Sequence, residues 1–254
     1  MAGHMQETSD DWSPAPLEPE LEEGTIDVWI AGLDQPQKVI AAFPDSLSED
    51  EIQRAARFAT PQLRDAYIAG RGILRDILSR YCRLEPASIA LGYAERGKPF
   101  VAPAHNERRV NFNLSHSDGL FVCAIARGIE VGVDVERITM RGDFLRLAQR
   151  FFAPGEVDFI RNLTVAQQIE AFYECWTCKE AFMKGKGSGL HIPLDSFEVA
   201  LTPGENPRLL RCENDSDDVE RWSLFELEPS RGYICAVAAE HRAPTLRRWN
   251  WTPR

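Results

Sequence analysis

Two apolar segments of nearly the same sequence constrain the fold of this chain most. Residues 121–126 read Phe-Val-Cys-Ala-Ile-Ala, and residues 233–238 read Tyr-Ile-Cys-Ala-Val-Ala. Short apolar runs of this kind, which contain aromatic and β-branched side chains, predict strands. Because one run lies in each half of the chain, the repeat favours a duplicated architecture.

The remaining sequence predicts strands and helices in both halves. Between residues 24 and 135 we expect strands near 25–33, 89–94, 110–114, 120–126 and 130–135, and helices near 48–58 and 60–82. Later we expect helices from about 144, after Pro154 and over 165–184, and strands near 196–201, 222–228 and 233–239. Ser48 with Glu51 forms a capping-box pattern, and Thr60-Pro61 is a helix start. The sequence therefore predicts two α+β halves, over residues 24–129 and 130–254.

The composition excludes several classes of protein. The chain has 254 residues, 29 Lys and Arg against 39 Asp and Glu, a net charge of −10 and 44% apolar residues. Such a mix is typical of a globular protein, and the negative charge disfavours nucleic-acid binding. No signal peptide or long apolar stretch appears, so we expect a cytoplasmic protein that does not bind membranes. Seven acidic residues and no basic ones lie in residues 1–23, which predicts a disordered acidic leader.

The cysteines predict a reducing environment rather than disulfides. The sequence has six cysteines, several of them in apolar runs, which is typical of small buried side chains. Cys175 and Cys178 have C-x-x-C spacing, but they fall well inside a predicted helix and have no second pair of matching spacing. We therefore expect neither a redox nor a zinc role for them.

The first segment that could carry chemistry is Gly-Val-Asp-Val-Glu, residues 132–136. On a strand, Asp134 and Glu136 face the same side, because residues two apart share a face. Two carboxylates together offer the oxygen ligands that Mg²⁺ prefers. The alternative is a solvated strand edge, with Glu136 paired to Arg137 or Arg141.

The second segment lies on the predicted helix that ends near residue 184. Trp176, Glu180 and Lys184 are spaced four residues apart and share one helix face. A carboxylate and an ammonium on that face could hold a metal-bound phosphate, whereas the alternative is a surface ion pair beside a core Trp. The glycines at 185–189 resemble a phosphate-binding loop, but Gly187 replaces Ser or Thr after Lys186, so we reject a nucleoside triphosphatase.

The third segment is Asn-Leu-Ser-His-Ser, residues 113–117. Ser115 and His116 point in opposite directions on an extended chain, so they are poorly placed as a nucleophile and its base. They fit better as donors to a phosphate, and the alternative is a turn-forming pair. Lys98 lies upstream in a rigid Gly-Lys-Pro turn. Basic residues also concentrate in the first predicted helices, where they are either solvated or bind phosphate: Arg54, Arg57, Arg64, Arg71 and Arg75.

These motifs together resemble the Sfp-type 4′-phosphopantetheinyl transferases. The order is Gly-Lys-Pro, Phe-Asn-Leu-Ser-His-Ser, Gly-Val-Asp-Val-Glu and Trp-Thr-Cys-Lys-Glu-Ala-Phe-Met-Lys-Gly-Lys-Gly-Ser-Gly-Leu, and the likeness extends over residues 54–197. The resemblance implies an α+β pseudo-dimer of two similar halves, each with an antiparallel sheet and helices, with the active site at their interface. It also implies a monomer, since the small trimeric relatives are about half as long.

The resemblance implies a reaction between coenzyme A, bound with Mg²⁺, and a carrier protein. The serine hydroxyl of an apo acyl or peptidyl carrier protein attacks the β-phosphorus, and adenosine 3′,5′-bisphosphate leaves. The carboxylates implied as metal ligands are Asp134, Glu136 and Glu180, and the residues implied as catalytic are Glu180, as general base, with Asp134 and Lys184. The residues implied to bind the coenzyme are Arg54, Arg57, Arg71, Lys98, Pro99, Ser115, His116, Asp134, Lys179 and Lys184. Glu156 matches a family acid with a supporting role.

Two other functions remain open from the sequence. One is a coenzyme A or carrier-protein binding module with weak catalysis, and the other is a Mg²⁺-dependent phosphohydrolase. A carrier protein is acidic, so a basic or apolar patch should receive it. The residues that could form this patch follow the carboxylate strand, although they could equally belong to an ordinary amphipathic helix: Arg137, Met140, Arg141, Phe144, Leu145 and Arg150.

Overall fold

The computed structural model describes residues 12–187, 192–202 and 205–254. The strands are β1 (Ser13–Pro14), β2 (Thr25–Gly32), β3 (Leu91–Tyr93), β4 (Pro99–Val101), β5 (Val110–Ser117), β6 (Leu120–Arg127), β7 (Val131–Arg137), β8 (Phe197–Ala200), β9 (Arg208–Cys212), β10 (Ser223–Leu227), β11 (Tyr233–Ala239) and β12 (Thr245–Asn250). The helices are α1 (Gln37–Ile40), α2 (Glu49–Ala55), α3 (Pro61–Cys82), α4 (Phe144–Phe151), α5 (Pro154–Arg161), α6 (Val165–Lys186) and α7 (Asp218–Arg221).

The two repeated apolar segments lie in equivalent strands of two sheets. Strand β6 is flanked by β2 and β5 in a sheet of order β1-β12-β2-β6-β5, and β11 is flanked by β10 and β7 in a three-stranded sheet. Each half has a 22-residue helix between two paired strands of its sheet: α3 lies between β2 and β6 in the chain, and α6 lies between β7 and β11. A small two-stranded hairpin follows each helix, β3–β4 and then β8–β9. The predicted α+β pseudo-dimer of two similar halves is therefore confirmed.

The helix boundaries follow from local chemistry. Ser48 caps α2 through its side chain, and the carboxylate of Glu51 accepts from the backbone N–H of Ser48, which completes the predicted capping box. Thr60 caps α3, with a proline at the first helical position. Helix α6 ends at Gly187, whose φ of 63° is the left-handed conformation that glycine adopts without strain.

The first sheet is not wholly antiparallel, contrary to the prediction. Strands β2, β6 and β5 pair antiparallel, but β12 runs parallel to β2 and β1 runs parallel to β12. Arg247 of β12 donates from Nε to Oδ1 of the fully buried Asp27 of β2 at 2.6 Å. Asp27 Oδ2 also accepts from Tyr81 of α3 at 2.6 Å. A buried charge thus anchors a strand from the second half in the sheet of the first.

Part of the predicted disordered leader is ordered. Trp12 is buried in the core between the two sheets, and Ser13–Pro14 pair with β12. Arg80 donates to the carbonyl of Pro16 and Arg247 donates to the carbonyl of Glu20, so the segment is also held by its backbone. The prediction of disorder is therefore wrong for residues 12–23, while residues 1–11 lie outside the described part of the chain.

The two sheets pack face to face, and this orients β7. Val131, Val133 and Val135 enter the core shared by both sheets. Since the side chains of a strand alternate, Gly132, Asp134 and Glu136 face the other way. Helix α6 packs on that face of β7, as Gly132 lies against its backbone. The fold thus directs the carboxylates of β7 towards a helix rather than into the apolar core.

The cysteines of the described residues are free thiols, and most of them lie in the core. Cys175 and Cys178 are fully buried, and burial raises the pKa of both thiols well above the ordinary value. They are therefore neutral hydrophobic side chains. Within the described ranges, no helix is both long and apolar enough to cross a membrane.

Candidate active site at the junction of the two halves

Side chains join the edge strands of the two sheets. Ser115 and Ser117 of β5 lie two residues apart and share a face, and they meet Asp134 and Glu136 of β7. Ser115 Oγ donates to Asp134 Oδ1 at 2.9 Å, and Ser117 Oγ donates to Glu136 Oε2 at 2.9 Å. Asn113, two residues earlier, accepts from the backbone N–H of Val133 at 2.9 Å. The carboxylates of the second half are therefore held by hydroxyls of the first.

Lys184 joins helix α6 to this junction. Its Nζ donates to Asp134 Oδ1 at 2.6 Å and to Ser115 Oγ at 3.1 Å. Asp134 is 3% exposed, and its second oxygen, Oδ2, is buried without a hydrogen-bond partner among the described residues. Buried carboxylate oxygens usually have a partner, so this one is available for a further ligand.

The three predicted metal carboxylates repel one another. Burial raises the pKa of Asp134 and Lys184 opposes it, whereas burial and then the charge of Asp134 raise the pKa of Glu136. Glu180 lies one helical turn before Lys184, and burial followed by the charge of Asp134 raises its pKa as well. In the described part of the chain, no three His, Cys, Asp or Glu side chains form a ready-made metal cluster. The junction is thus rich in negative charge, with the ammonium of Lys184 beside Asp134.

Lys98, a residue of the first half, contacts the second half at the end of α6. Its Nζ donates to Glu130 Oε2 at 2.6 Å, to the carbonyl of Gly185 at 2.7 Å and to that of Val131 at 3.2 Å. Pro99 begins β4 directly after it. The Gly-Lys-Pro turn is thus attached to the start of β7 and the end of α6, close to the residues around Asp134.

His116 does not join the carboxylates. It is exposed, and it lies on the opposite face of β5 from Ser115, the face from which Leu114 packs against the core below α3. Of the predicted Ser-His pair, the structure therefore brings only Ser115 to Asp134.

The predicted arginines lie around α2 and α3. A cavity of about 840 Å³ is lined by Arg54, Arg71 and Arg75 together with Tyr93, while Arg57 lines a neighbouring open depression with Arg54. Arg71 donates from Nε to Glu51 Oε1 at 2.6 Å, and Arg75 donates from Nε to Glu51 Oε2 at 2.7 Å. The structure thus gathers Arg54 and Arg71 at one cavity.

Glu51 is a functional candidate that the sequence reasoning treated only as a helix cap. It is buried, and burial favours its neutral form, but Arg71, the backbone N–H of Ser48 and Arg75 outweigh this and lower its pKa. The carboxylate is therefore ionised and orients both guanidinium groups. Ser117 was also missed, although its spacing of two from Ser115 on a strand could have revealed it.

Lys179 does not lie in the site, which corrects the prediction. Its side chain is fully buried, pairs with Glu156 Oε1 at 2.7 Å, and donates to the carbonyls of Leu194 at 2.8 Å and Phe197 at 2.6 Å. Its ammonium is thus fully engaged inside the protein. Glu156 also accepts from the backbone N–H groups of Ala153 and Val199, which agrees with the supporting role implied for it.

Two similar α+β halves, with acidic side chains and a lysine at their junction, are the arrangement that the resemblance to phosphopantetheinyl transferases predicts, and the family models show the same class. The model of the 4′-phosphopantetheinyl transferase superfamily matches residues 130–238, and a model described as 4′-phosphopantetheinyl transferase, N-terminal, matches residues 35–128.

Individual relatives agree with the family models. The chain is 38% identical over 227 residues to the 4′-phosphopantetheinyl transferase HetI of Nostoc sp., which covers 89% of this chain and 92% of that protein. It is 30% identical over 207 residues to the 4′-phosphopantetheinyl transferase Sfp of Bacillus subtilis, with 77% and 88% covered. The chain therefore belongs to the 4′-phosphopantetheinyl transferase superfamily, and the predicted transferase activity is confirmed.

Proposed function

We propose that this enzyme transfers 4′-phosphopantetheine from coenzyme A to a serine of an apo acyl or peptidyl carrier protein, with Mg²⁺ as the cofactor. The observation that carries the proposal is the buried, unpartnered Oδ2 of Asp134 beside Lys184, at the junction of the two halves. The serine oxygen forms a bond to the β-phosphorus, the bond from that phosphorus to the bridging oxygen breaks, and adenosine 3′,5′-bisphosphate leaves.

The carboxylates fit a hard divalent cation. Asp134, Glu136 and Glu180 offer only oxygen donors. Burial raises the pKa of all three, and the charge of Asp134 raises those of Glu136 and Glu180 further, so a bound cation would favour their ionised forms. The three would hold Mg²⁺, whose chemistry is to neutralise the pyrophosphate and the charge on the leaving group. Lys184 supplies a further positive charge for a pyrophosphate oxygen.

Glu180 acts as the general base in this proposal. Burial, together with the charges of Asp134 and Glu136, raises its pKa, and a carboxylate with a raised pKa is a better proton acceptor. It takes the proton of the serine hydroxyl as the oxygen attacks phosphorus. Asp134, with Lys184 and Ser115 on one oxygen, remains the fixed point around which the phosphates are oriented.

The arginine cavity suits the 3′-phosphate of the coenzyme. Arg54 and Arg71 line it, Arg57 lies beside it, and Glu51 together with the hydroxyl of Tyr93 orients the guanidinium of Arg71 at the cavity. Lys98 and Pro99 border the adenosine end, and His116 contacts the phosphate from the face of β5 that it shares with Leu114. Because a guanidinium binds phosphate through two parallel hydrogen bonds, substitution by Lys should weaken binding.

The carrier protein docks beside the carboxylates on a face formed by Met140, Arg141, Leu147 and Arg150. Met140 is 73% exposed and Leu147 39%, and both arginines are exposed. Basic and apolar groups together complement an acidic carrier. Phe144 does not belong to this face, since it is buried against Phe172.

We further propose a cytoplasmic monomer whose halves divide near residue 129. The two family models, which meet close to that residue, support the division. Both halves of the proposed site lie on one chain, which supports a monomer. The buried neutral thiols support a reducing compartment.

The proposal is tested by incubating the enzyme with coenzyme A, Mg²⁺ and an apo carrier protein and weighing the carrier. We expect a mass gain of one phosphopantetheine group, abolished by EDTA and restored by Mg²⁺. Glu180→Gln should lower the rate at least about 100-fold, whereas Asp158→Asn, an exposed carboxylate on α5, should leave it unchanged.

Two other outcomes would contradict transfer. Binding of coenzyme A without mass gain on several carriers would indicate a binding module. Release of phosphate without a carrier would indicate a hydrolase.

A further inference from the structure

The backbones of α6 and β7 touch next to the proposed site. A Cβ atom at Gly132 of β7 would lie 2.0 Å from the carbonyl oxygen of Ala181 and 2.3 Å from the backbone nitrogen of Gly185. A Cβ atom at Gly185 would lie 2.6 Å from the ring of Trp222 and 3.2 Å from the backbone nitrogen of Gly132. Ordinary van der Waals contact begins at 3.4 Å, so neither position has room for a methyl group.

The contact lies in register with the site. Gly132 precedes Asp134 by two residues and shares its face of β7. Ala181 and Gly185 each follow, by one residue, the two side chains that α6 directs to the site, Glu180 and Lys184. The distance between the two backbones therefore determines where Glu180 and Lys184 stand relative to Asp134.

Lys98 also holds helix α6 against strand β7. Its ammonium donates to the carbonyl of Gly185 on α6 and to that of Val131 on β7, and so it holds the end of the helix against the start of the strand. Trp222 backs Gly185 from the other side and is itself buried, with 6% of its surface exposed. The end of α6 is thus fixed from both sides.

We propose that Gly132 and Gly185 are positioning residues, whose lack of side chains sets the α6–β7 spacing on which the transfer geometry depends. This inference rests on the site assigned above. A methyl group at Gly132 would have to separate the backbones by more than about 1 Å, judged from the 2.0 Å contact. A misplacement of that size commonly costs about 100-fold in rate.

The substitutions to test are Gly132→Ala and Gly185→Ala, and each has a matched control in the equivalent element of the other half. Gly32→Ala in β2 would meet no heavy atom of the described residues within 4 Å, and Gly70→Ala in α3 would meet Leu33 at an ordinary 3.5 Å. Ala has the higher helix propensity, so propensity alone predicts no harm from Gly185→Ala.

For Gly132→Ala we expect a kcat about 100-fold lower per folded enzyme, with the KM for coenzyme A changed less than about threefold. The KM should change less than kcat because the arginines proposed to bind the 3′-phosphate lie on α2 and α3, and of the proposed coenzyme contacts only those of Lys184 and Lys98 adjoin the displaced backbones. Loss of folded protein alone would lower the active fraction, which near-UV circular dichroism measures, and would not lower kcat per folded molecule. A folded Gly132→Ala enzyme with kcat within twofold of Gly32→Ala would overturn the proposal.

Where Gly132→Ala does not fold, the second position decides. Gly185→Ala should lose kcat, and Gly185→Ala/Trp222→Leu should recover at least about tenfold, because the smaller side chain makes room for the methyl group. A double variant that is soluble and no more active than Gly185→Ala would refute the inference. Asp134→Asn separates failure of this inference from failure of the site assignment on which it rests. Full activity of Asp134→Asn would overturn the site assignment itself.

Discussion

Glu174 provides a sharp test of the electrostatics of α6. It lies on the helix away from Asp134 and lines a cavity of about 330 Å³ with Glu170 and with Glu226 of β10. Burial, and then the charges of Glu226 and Glu170, raise the pKa of Glu174 from 4.5 to about 7. Its ionised form is therefore unfavourable in the folded protein.

The sign of the pH dependence follows from this shift. A folded-state pKa above the unfolded value favours folding while the carboxyl is protonated, and that advantage is lost as the pH rises through about 7. A rise of the pKa from 4.5 to about 7 corresponds to about 3 kcal/mol before screening. Because Glu174 is partly exposed, solvent screening reduces the expected penalty to about 1 kcal/mol.

Glu174→Gln removes the charge and keeps the shape. We expect the variant to be more stable than the parent by about 1 kcal/mol at pH 8.5, which is about 3 °C in Tm for a chain of this size, and nearly equal to it at pH 4.5. Scanning fluorimetry at both pH values measures the difference, and Glu95→Gln, at an exposed turn, is the control. An equal effect of Glu174→Gln at both pH values, or a destabilisation at pH 8.5, would refute the reasoning.

Three further substitutions test the buried charges. Glu156→Gln should lower the free energy of unfolding in urea by about 3 kcal/mol, because it leaves Lys179 buried without its counter-charge, and adding Lys179→Met should restore part of the loss. Asp27→Asn should cost about 2 kcal/mol in the same assay by weakening its bond to Arg247, and no change would contradict the proposed anchoring of β12. Glu51→Gln should raise the KM for coenzyme A several-fold at constant kcat, since the α3 arginines lose the carboxylate that orients them, and a fall in kcat alone would argue against this role.

The sequence was sufficient to predict the features that depend on local pattern. The repeated strands, the capping box at Ser48 and the shared face of Asp134 and Glu136 all arise from periodicity or from residues a few positions apart. Short-range chemistry of this kind acts before tertiary packing and survives it. The order of the motifs along the chain carried the family resemblance, and the resemblance implied the activity.

Features that depend on distant contacts were not predicted. Nothing in the local sequence marks residues 245–250 as partners of β2. The pairing joins two segments that lie far apart in the chain, and it depends on how the whole fold brings them together. Lys179 was grouped with Glu180 as neighbours in one motif, but consecutive helical residues point about 100° apart, and the hairpin carbonyls on that side bind the ammonium. Glu51 was identified as a cap, and only the packing of α2 against α3 shows its second role.

Strand β12 lies between β1 and β2, and this bears on the order in which the chain can fold during synthesis. The helices and hairpins of residues 24–129 emerge from the ribosome first, but their sheet keeps an open edge at β2 until residues 245–250 have been made. An unpaired apolar edge is a template for aggregation, so a truncated or stalled chain would expose β2 to its neighbours. The two halves are thus duplicates in architecture but a single unit in folding.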